Sequence, residues 1–238
     1  MMTPDNWPRN RLLLALPSGQ LKQLARELER VRCERGQVLI DVDEALDHIF
    51  FFDSGAVAVL TVYSDGRAVT VTAVGREGCS GAQAVLQGNT STNRYLVYVP
   101  GTAARLRRGA FTRAMQTMPA FRRLMYGHVH AYLDQVMLAA ACLSTHGLRQ
   151  RLARWLLTLQ DSSEDGTLAL THGQLASLLS VQRPSLTNAA RELEEVGCIE
   201  GGVRKVTIVD RKALAKISCE CYQLLKARIA TYIPDAYR

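Results

Sequence analysis

Apolar residues change their spacing near Pro119, and this change divides the chain into a strand-rich part and a helical part. Upstream, turn residues separate short runs rich in β-branched and aromatic residues. The runs are 38–40, 48–52, 56–62, 69–71 and 95–99. Short strands with such regular turns are typical of an antiparallel barrel or sandwich of roughly 100 residues. Ahead of them, leucines between residues 9 and 32 predict two short helices.

The segment after Pro119 has helical spacing, with no further proline and only Gly127 before Gly147. Alternate steps of four and three residues place six apolar residues in one seam: Met125, Val129, Tyr132, Val136, Ala139 and Leu143. The periodicity leaves two interpretations open, a helix that lies on its own domain and a helix that pairs with its twin in a dimer. A second apolar face, formed by Leu124, Ala131 and Leu138, is suited to cover the barrel.

Helical patterns and a hairpin alternate in the last part of the chain. Helices are predicted near residue 148, from Thr171 and from Pro184, followed by a hairpin over 199–210 and a final helix over about 211–231. We therefore divide the chain into residues 1–118, 119–146 and 147–238, and predict an α+β fold.

Residues 171–199 indicate two helices joined by a tight turn. Thr171 is a good N-cap for the first helix, and Pro184 lies in the first turn of the second, where proline is tolerated. The small Ala176 permits a close crossing. The inward face of the second helix is formed by Leu186, Ala189, Ala190 and Leu193.

The outward positions of the second helix carry hydrogen-bonding groups and no carboxylate before Glu192. They are Arg183, Ser185, Thr187, Asn188 and Arg191. A surface helix without constraint usually mixes both charge signs, so this face suits a polyanion such as DNA. Arginine can bond guanine, and asparagine adenine, through two hydrogen bonds each. The following hairpin turn carries Arg204 and Lys205, placed as a wing against the sugar–phosphate backbone.

Composition adds little to this interpretation. The formal charge of +7 fits a nucleic-acid partner, but the excess is spread over all three segments. A signal-peptide pattern is missing, and the longest apolar run, 136–143, is far shorter than the ~20 residues that span a bilayer, so a cytoplasmic location is expected. The sequence shows no P-loop, GxSxG, HExxH or dinucleotide motif, and no enzyme is predicted.

Six cysteines are scattered along the chain without the CxxC pairing of structural zinc sites: Cys33, Cys79, Cys142, Cys198, Cys219 and Cys221. Only Cys219 and Cys221 lie close in sequence. One residue between them in a predicted helix places their thiols on different faces. We therefore interpret all six as buried or idle thiols and predict no metal site.

The order of these parts resembles the Crp/Fnr family of bacterial transcription regulators, which combine a cyclic-nucleotide-binding-type β-roll, a long dimerisation helix and a winged helix-turn-helix. Residues 48–60, HIFFFDSGAVAVL, resemble the family's strand–glycine–strand signature, and residues 171–199 align without gaps with its DNA-binding motif. The resemblance implies a homodimer that reads a palindromic site, half a site per subunit, with RNA polymerase as a further partner.

The resemblance also assigns residues by position. Arg183 stands where the family has its most recurrent base-reading arginine, and Pro184 stands where a glutamate is common, so the usual target sequence need not apply. The full predicted DNA-binding set is Thr171, Gln182, Arg183, Ser185, Thr187, Asn188, Arg191, Arg204 and Lys205.

The predicted effector pocket consists of Gly81, Ala82, Gln83, Arg94 and Tyr95. Nucleotide-binding members of the family hold the ribose with a Gly-Glu pair and the cyclic phosphate with a following arginine. Here Ala82 replaces the glutamate, and Arg94 is displaced by about two residues. Unpaired ribose or phosphate groups would be costly to bury, so we predict that cyclic AMP is not bound tightly. The sequence does not identify the effector or any cofactor.

A ligand-binding or scaffold protein that uses the β-roll without DNA recognition is the main alternative. Salt-dependent DNA affinity separates the two interpretations.

Overall fold

A computed structural model of the protein describes residues 7–163, 167–202 and 205–233. Helices α1 (Arg11–Leu14) and α2 (Ser18–Ala25) precede seven strands of a β-roll. The strands are β1 (Leu28–Cys33), β2 (Val38–Ile40), β3 (His48–Phe52), β4 (Ala56–Val62), β5 (Ala68–Val74), β6 (Arg94–Val99) and β7 (Gly101–Arg107). A short 3₁₀ helix, Ala82–Ala84, lies between β5 and β6.

Helices dominate the rest of the chain. The elements are α3 (Arg108–Thr117), α4 (Pro119–Thr145), α5 (Leu148–Asp161), β8 (Thr167–Leu168), α6 (His172–Leu179), α7 (Arg183–Glu195), β9 (Ile199–Gly202), β10 (Lys205–Ile208), α8 (Arg211–Ile217) and α9 (Cys221–Tyr232). The long helix predicted after Pro119 is thus present. The domain boundaries drawn from the sequence stay predictions.

The β-roll consists of two antiparallel sheets, with strand orders β1-β7-β3 and β2-β6-β4-β5. The prediction of helix up to residue 32 is wrong, since β1 pairs along its whole length with β7, from Leu28 opposite Leu106 to Cys33 opposite Gly101. Neither strand is enriched in β-branched or aromatic residues. The two strands lie about 70 residues apart in the chain, so local sequence signals could not reveal their pairing.

Strand β4 is buried on both faces, which explains its uninterrupted apolar sequence. Val57 and Val59 point into the β-roll core. The intervening Ala56, Ala58 and Leu60 belong instead to a second core, shared with the C-terminal domain through Trp155 and its neighbours on α5. Alternate side chains of a strand point to opposite faces, so one strand contributes to both cores.

Helix α4 turns the first half of its predicted seam inward. Met125 is 1% exposed and lies with Val129 and Tyr132 in the core of the β-roll. Val136, Ala139 and Leu143 line a groove between β5 and the C-terminal domain. Pairing of this seam with a second subunit stays a prediction, because the period shows that a face is apolar but not what covers it.

Helix α9 covers a second face of α4. A Cβ atom on Gly127 would lie 2.9 Å from the carbonyl oxygen of Tyr232, so glycine permits this close contact. The ring of Tyr232 also stacks on His130, with centroids 5.2 Å apart. The predicted face of Leu124, Ala131 and Leu138 packs on the β-roll core as expected, and α9 inserts Leu225 and Ile229 into the same core.

The predicted final helix is wrong in one respect, because it is broken into α8 and α9. Ser218 ends α8 in an extended conformation, with φ −60° and ψ 150°. The break redirects the chain, so that α9 runs back along α4. No described helix has both the length and the apolar character needed to cross a membrane.

His128 is a buried titratable group on α4. Its Nε2 lies 3.2 Å from the carbonyl oxygen of Cys79, which identifies Nε2 as the protonated nitrogen. Burial lowers the pKa of His128 to about 4 from 6.5, so the imidazole is neutral in the folded protein at neutral pH.

Acid is therefore expected to destabilise the fold through His128. Its folded pKa lies below the unfolded value, so the unfolded chain binds the proton more tightly. The contribution is complete above pH 6.5 and is lost as the pH falls toward about 4. The free energy of unfolding, measured with urea, should fall between about pH 7 and about pH 4.5 by roughly 2–3 kcal/mol more in wild type than in His128→Gln. Glutamine retains a donor for Cys79 but does not titrate. Equal pH dependences of the two proteins would contradict the prediction.

Candidate nucleic-acid interface

Two helices joined by a short turn form the centre of the C-terminal domain. Helix α6 begins with the predicted capping residue: the Thr171 hydroxyl accepts a hydrogen bond from the backbone amide of Gln174 at 3.2 Å, and the Gln174 side chain accepts one from the Thr171 amide at 2.9 Å. The Thr171 hydroxyl also donates to Gln174 Oε1 at 3.1 Å. The amide and the hydroxyl of Thr171 thus both donate inside the cap, and DNA contact by this residue stays a prediction.

The turn depends on Ser180, which adopts a left-handed conformation with φ 55° at the end of α6. Helix α7 begins at Arg183, one residue before the predicted start, with Pro184 in its first turn. Its predicted inward face is confirmed, because Leu186, Ala189, Ala190 and Leu193 are all buried. This packing leaves the opposite face of α7 turned to solvent.

Five residues of the predicted contact set are exposed on or next to α7: Gln182, Arg183, Ser185, Asn188 and Arg191. Thr187 is different. It is half-buried, donates to the carbonyl oxygen of Arg183 at 3.0 Å and lies 3.4 Å from Nδ1 of His172 on α6. Its hydroxyl therefore links the two helices, and sequence spacing did not reveal this contact.

The charge pattern of the outer face agrees with the sequence interpretation. Within the described part of the chain, neither Arg183 nor Arg191 has a carboxylate within ion-pair distance. Glu192, at the edge of this face, faces Arg149 instead, with Nε and Oε2 3.8 Å apart. Together with the exposed N-terminus of α7, this arrangement leaves a surface of positive potential.

A small antiparallel sheet stands beside α7, with strand order β8-β10-β9. Lys205 is exposed at the first position of β10, where it pairs with Gly202. Arg204 lies outside the described residues. The sheet has the position of a wing next to the recognition surface.

Two arginines of α5, Arg151 and Arg154, make contacts inside the domain. Arg151 donates to the carbonyl oxygen of Leu179 at 2.9 Å, which satisfies the C-terminus of α6. Arg154 is buried, with its guanidinium 5.1 Å from the ring centre of Trp155. Both side chains are thus held within the domain.

The structure separates the predicted effector-pocket residues into two groups. Arg94 lies on the outer side of β6 and binds Asp41 through two hydrogen bonds, of 2.7 and 2.9 Å. These bonds lower the pKa of Asp41. Sequence spacing did not indicate Asp41, which comes from a distant strand end. Since consecutive strand residues face opposite sides, Arg94 cannot share the interior with Tyr95.

The interior of the pocket is filled by the protein itself. Tyr95 is completely buried, and its hydroxyl lies 3.4 Å from Oε1 of Gln83. Gly81, which adopts a left-handed φ of 70°, starts the 3₁₀ helix that carries Ala82 and Gln83 to this position. Burial raises the pKa of Tyr95, with Tyr132 of α4 as a close neighbour. The hydroxyls of Tyr95 and Tyr132 and the amide of Gln83 thus bind one another in the interior.

Comparisons with known proteins agree with this architecture. The family model of the cyclic nucleotide-binding domain matches residues 30–118, and that of the Crp-like helix-turn-helix domain matches residues 150–217. The Global nitrogen regulator of Synechococcus elongatus is 22% identical over 210 residues, 84% of this chain and 92% of that protein. A CRP-family transcriptional regulator from Thermus thermophilus has a TM-score of 0.65 at 23% identity, over 79% of this chain and 96% of that one. FixK2 from Bradyrhizobium japonicum has a TM-score of 0.65 at 15% identity, over 81% and 98%.

The two matched domains occur in the family's order and account for about two thirds of the chain. The intervening helix and the exposed basic face of α7 complete the arrangement. The chain belongs to the Crp/Fnr family and is a DNA-binding transcription regulator with a cyclic-nucleotide-binding-type sensor domain.

Proposed function

We propose that the outer face of α7 enters the major groove of double-stranded DNA and reads its sequence. The observation that carries this proposal is the exposed, acid-free face on which Arg183 and Arg191 lack carboxylate partners within the described residues. When DNA covers this face, each guanidinium loses water and needs another hydrogen-bond acceptor. Guanine O6 and N7 or phosphate oxygens supply one.

Individual roles follow from position. Arg183 and Asn188 are exposed near the start of α7 and suit base edges, while Ser185 and Gln182 suit bases or phosphates. Lys205 on the wing suits the phosphate backbone, and the same role stays a prediction for Arg204. Contact with RNA polymerase likewise stays a prediction from the family resemblance.

Replacing Arg183 by alanine should relax base preference and weaken specific binding by ~1–3 kcal/mol, because a two-hydrogen-bond base contact is lost. Sites selected from a randomised duplex library with the wild-type protein provide the DNA.

The contrasting substitution is Lys205→Ala. It should weaken binding to all sequences about equally, and the slope of log affinity against log salt concentration should decrease by the amount expected for about one phosphate contact. Arg67→Ala, on the exposed hairpin of the β-roll, is the control for loss of charge alone. An Arg183→Ala protein with wild-type sequence preference would show that this assignment is wrong.

We propose further that two chains pair along the third face of α4, which neither the β-roll nor α9 covers. Leu133 is 51% exposed and Met137 is 59% exposed there, with Tyr126 in line two turns earlier. Steps of seven and four residues join these positions, as in a helix-pairing seam. A symmetric pair formed this way presents two α7 helices, which suits a palindromic site.

The substitution Met137→Glu should convert this dimer into monomers, because it buries two facing carboxylates at the symmetry axis. Sedimentation velocity measures the change directly, and binding to a full palindrome should fall toward that of a half-site. Leu86→Glu, at a leucine 68% exposed on the β-roll, is the matched control and should stay dimeric. A Met137→Glu protein that remains a dimer would refute the pairing face.

We propose that the effector of the β-roll is not cyclic AMP. Support comes from Tyr95, which fills the interior, and from Arg94, which is bound to Asp41 on the other side of the strand. Calorimetric titration of cyclic AMP into the full chain should detect no tight binding, and an affinity in the sub-micromolar range would defeat the proposal.

A further inference from the structure

Four residues that are far apart in sequence meet where α4 ends. Cys142 lies in the last turn of α4 and His146 immediately follows it. Cys219 and Cys221 stand at the break between α8 and α9, on either side of Glu220. The three sulfur atoms and an imidazole nitrogen all lie within 4.8 Å of one another. The three cysteines are buried and free, and His146 is half-buried.

The break in the C-terminal helix creates this cluster. A continuous helix, as predicted from the sequence, would place Cys219 and Cys221 on different faces. Instead Cys219 follows the extended Ser218, and Cys221 is the first residue of α9. Both thiols therefore point to the end of α4. All six cysteines are buried, as predicted from the sequence, but these two lie together with Cys142.

The distances fit a single tetrahedral ion. Sγ of Cys142 lies 3.6 Å from Sγ of Cys219, and Sγ of Cys221 lies 3.7 Å from Nδ1 of His146. Zinc bonds of about 2.3 Å to sulfur and about 2.0 Å to nitrogen give tetrahedral edges of roughly 3.8 Å between two sulfurs and roughly 3.6 Å between sulfur and nitrogen. In an iron–sulfur cluster at least some of the four ligands bind different iron atoms, and those ligands must lie farther apart than the four atoms do here.

We propose that Cys142, His146, Cys219 and Cys221 bind one Zn²⁺ ion in a closed structural site. Thiolate and imidazole ligands suit zinc, and four protein ligands leave no open position for catalysis. Nδ1 of His146 also lies 3.1 Å from the hydroxyl of Thr145, which itself donates to the carbonyl oxygen of Ala141. Because zinc would take the place of a proton on Nδ1, the neutral imidazole carries its one proton on Nε2.

A buried cation beside the cluster supplies the matching charge. Zinc with three thiolates and one neutral imidazole carries one net negative charge, which is costly to bury alone. Arg154 is 8% exposed, and its Nε has no hydrogen-bond partner within the described part of the chain. Its positive charge opposes the increase in pKa that burial imposes on the Cys219 and Cys221 thiols.

The site joins parts of the molecule with separate roles. Cys142 and His146 belong to the helix that links the sensor to the C-terminal domain, while Cys219 and Cys221 follow the winged helix-turn-helix. Zinc would therefore hold α9 against α4 and set the orientation of the C-terminal domain. Binding releases the thiol protons, and its free energy adds to the stability of this arrangement.

Metal titration of the full-length chain under reducing conditions tests the proposal without reference to DNA. Co²⁺ should bind one ion per chain, with the thiolate charge-transfer and ligand-field bands of a tetrahedral site, and Zn²⁺ should displace it. Cys219→Ser should abolish these bands, while Cys198→Ser, at a buried cysteine outside the cluster, should keep them. His146→Cys should retain one ion, and His146→Ala should bind at least ten-fold more weakly.

Two further observations distinguish loss of the metal site from misfolding of a variant. A chelator should lower the melting temperature of wild type and Cys198→Ser but not of Cys219→Ser, and His146→Ala changes a half-buried residue that the core does not need. Failure of reduced wild-type protein to bind one Co²⁺ per chain would overturn the proposal. So would retention of the cobalt spectrum in Cys219→Ser, or isolation of the protein as a metal-free Cys142–Cys219 disulfide.

Discussion

The packing of α5 on the outer face of the β-roll is the contact on which the rest of the structure depends. Strand β4 contributes to two cores at once, with valines on one side and alanines on the other. The sensor and the DNA-binding domain thereby share apolar surface. A displacement of the sheet therefore also displaces α5. Since α5 also supports α6 through Arg151, the same helix connects the sensor to the recognition surface.

Helix α4 has three faces, and each has different surroundings. The β-roll covers one face, α9 covers the second, and Tyr126, Leu133 and Met137 remain exposed on the third. This division explains why a largely apolar helix stays ordered in a folded chain without a membrane or a continuous core around it. The cysteine cluster lies where the end of α4 meets the break between α8 and α9, so that a metal there would act on the relative position of both domains.

The predicted effector-pocket residues of the sensor have partners within the chain. Gly81 adopts a left-handed conformation before the 3₁₀ helix, Tyr95 is completely buried, and Asp41 binds Arg94. Tyr95 and Arg94 both have polar partners from the chain itself, and burial without partners would be costly.

Local sequence determined the helix-turn-helix and most of the strands. The capping box at Thr171, the proline at the start of α7 and the apolar spacing of Leu186 to Leu193 are short-range signals, and each acts within one or two helical turns. Only the tertiary structure decided which face of α4 is buried, which strand pairs with β1, and that Cys142 meets Cys219. The last two outcomes depend on contacts between residues about 70 or more positions apart. A periodic pattern records that a surface is apolar, whereas the neighbour that covers it is chosen by the packing of the whole chain.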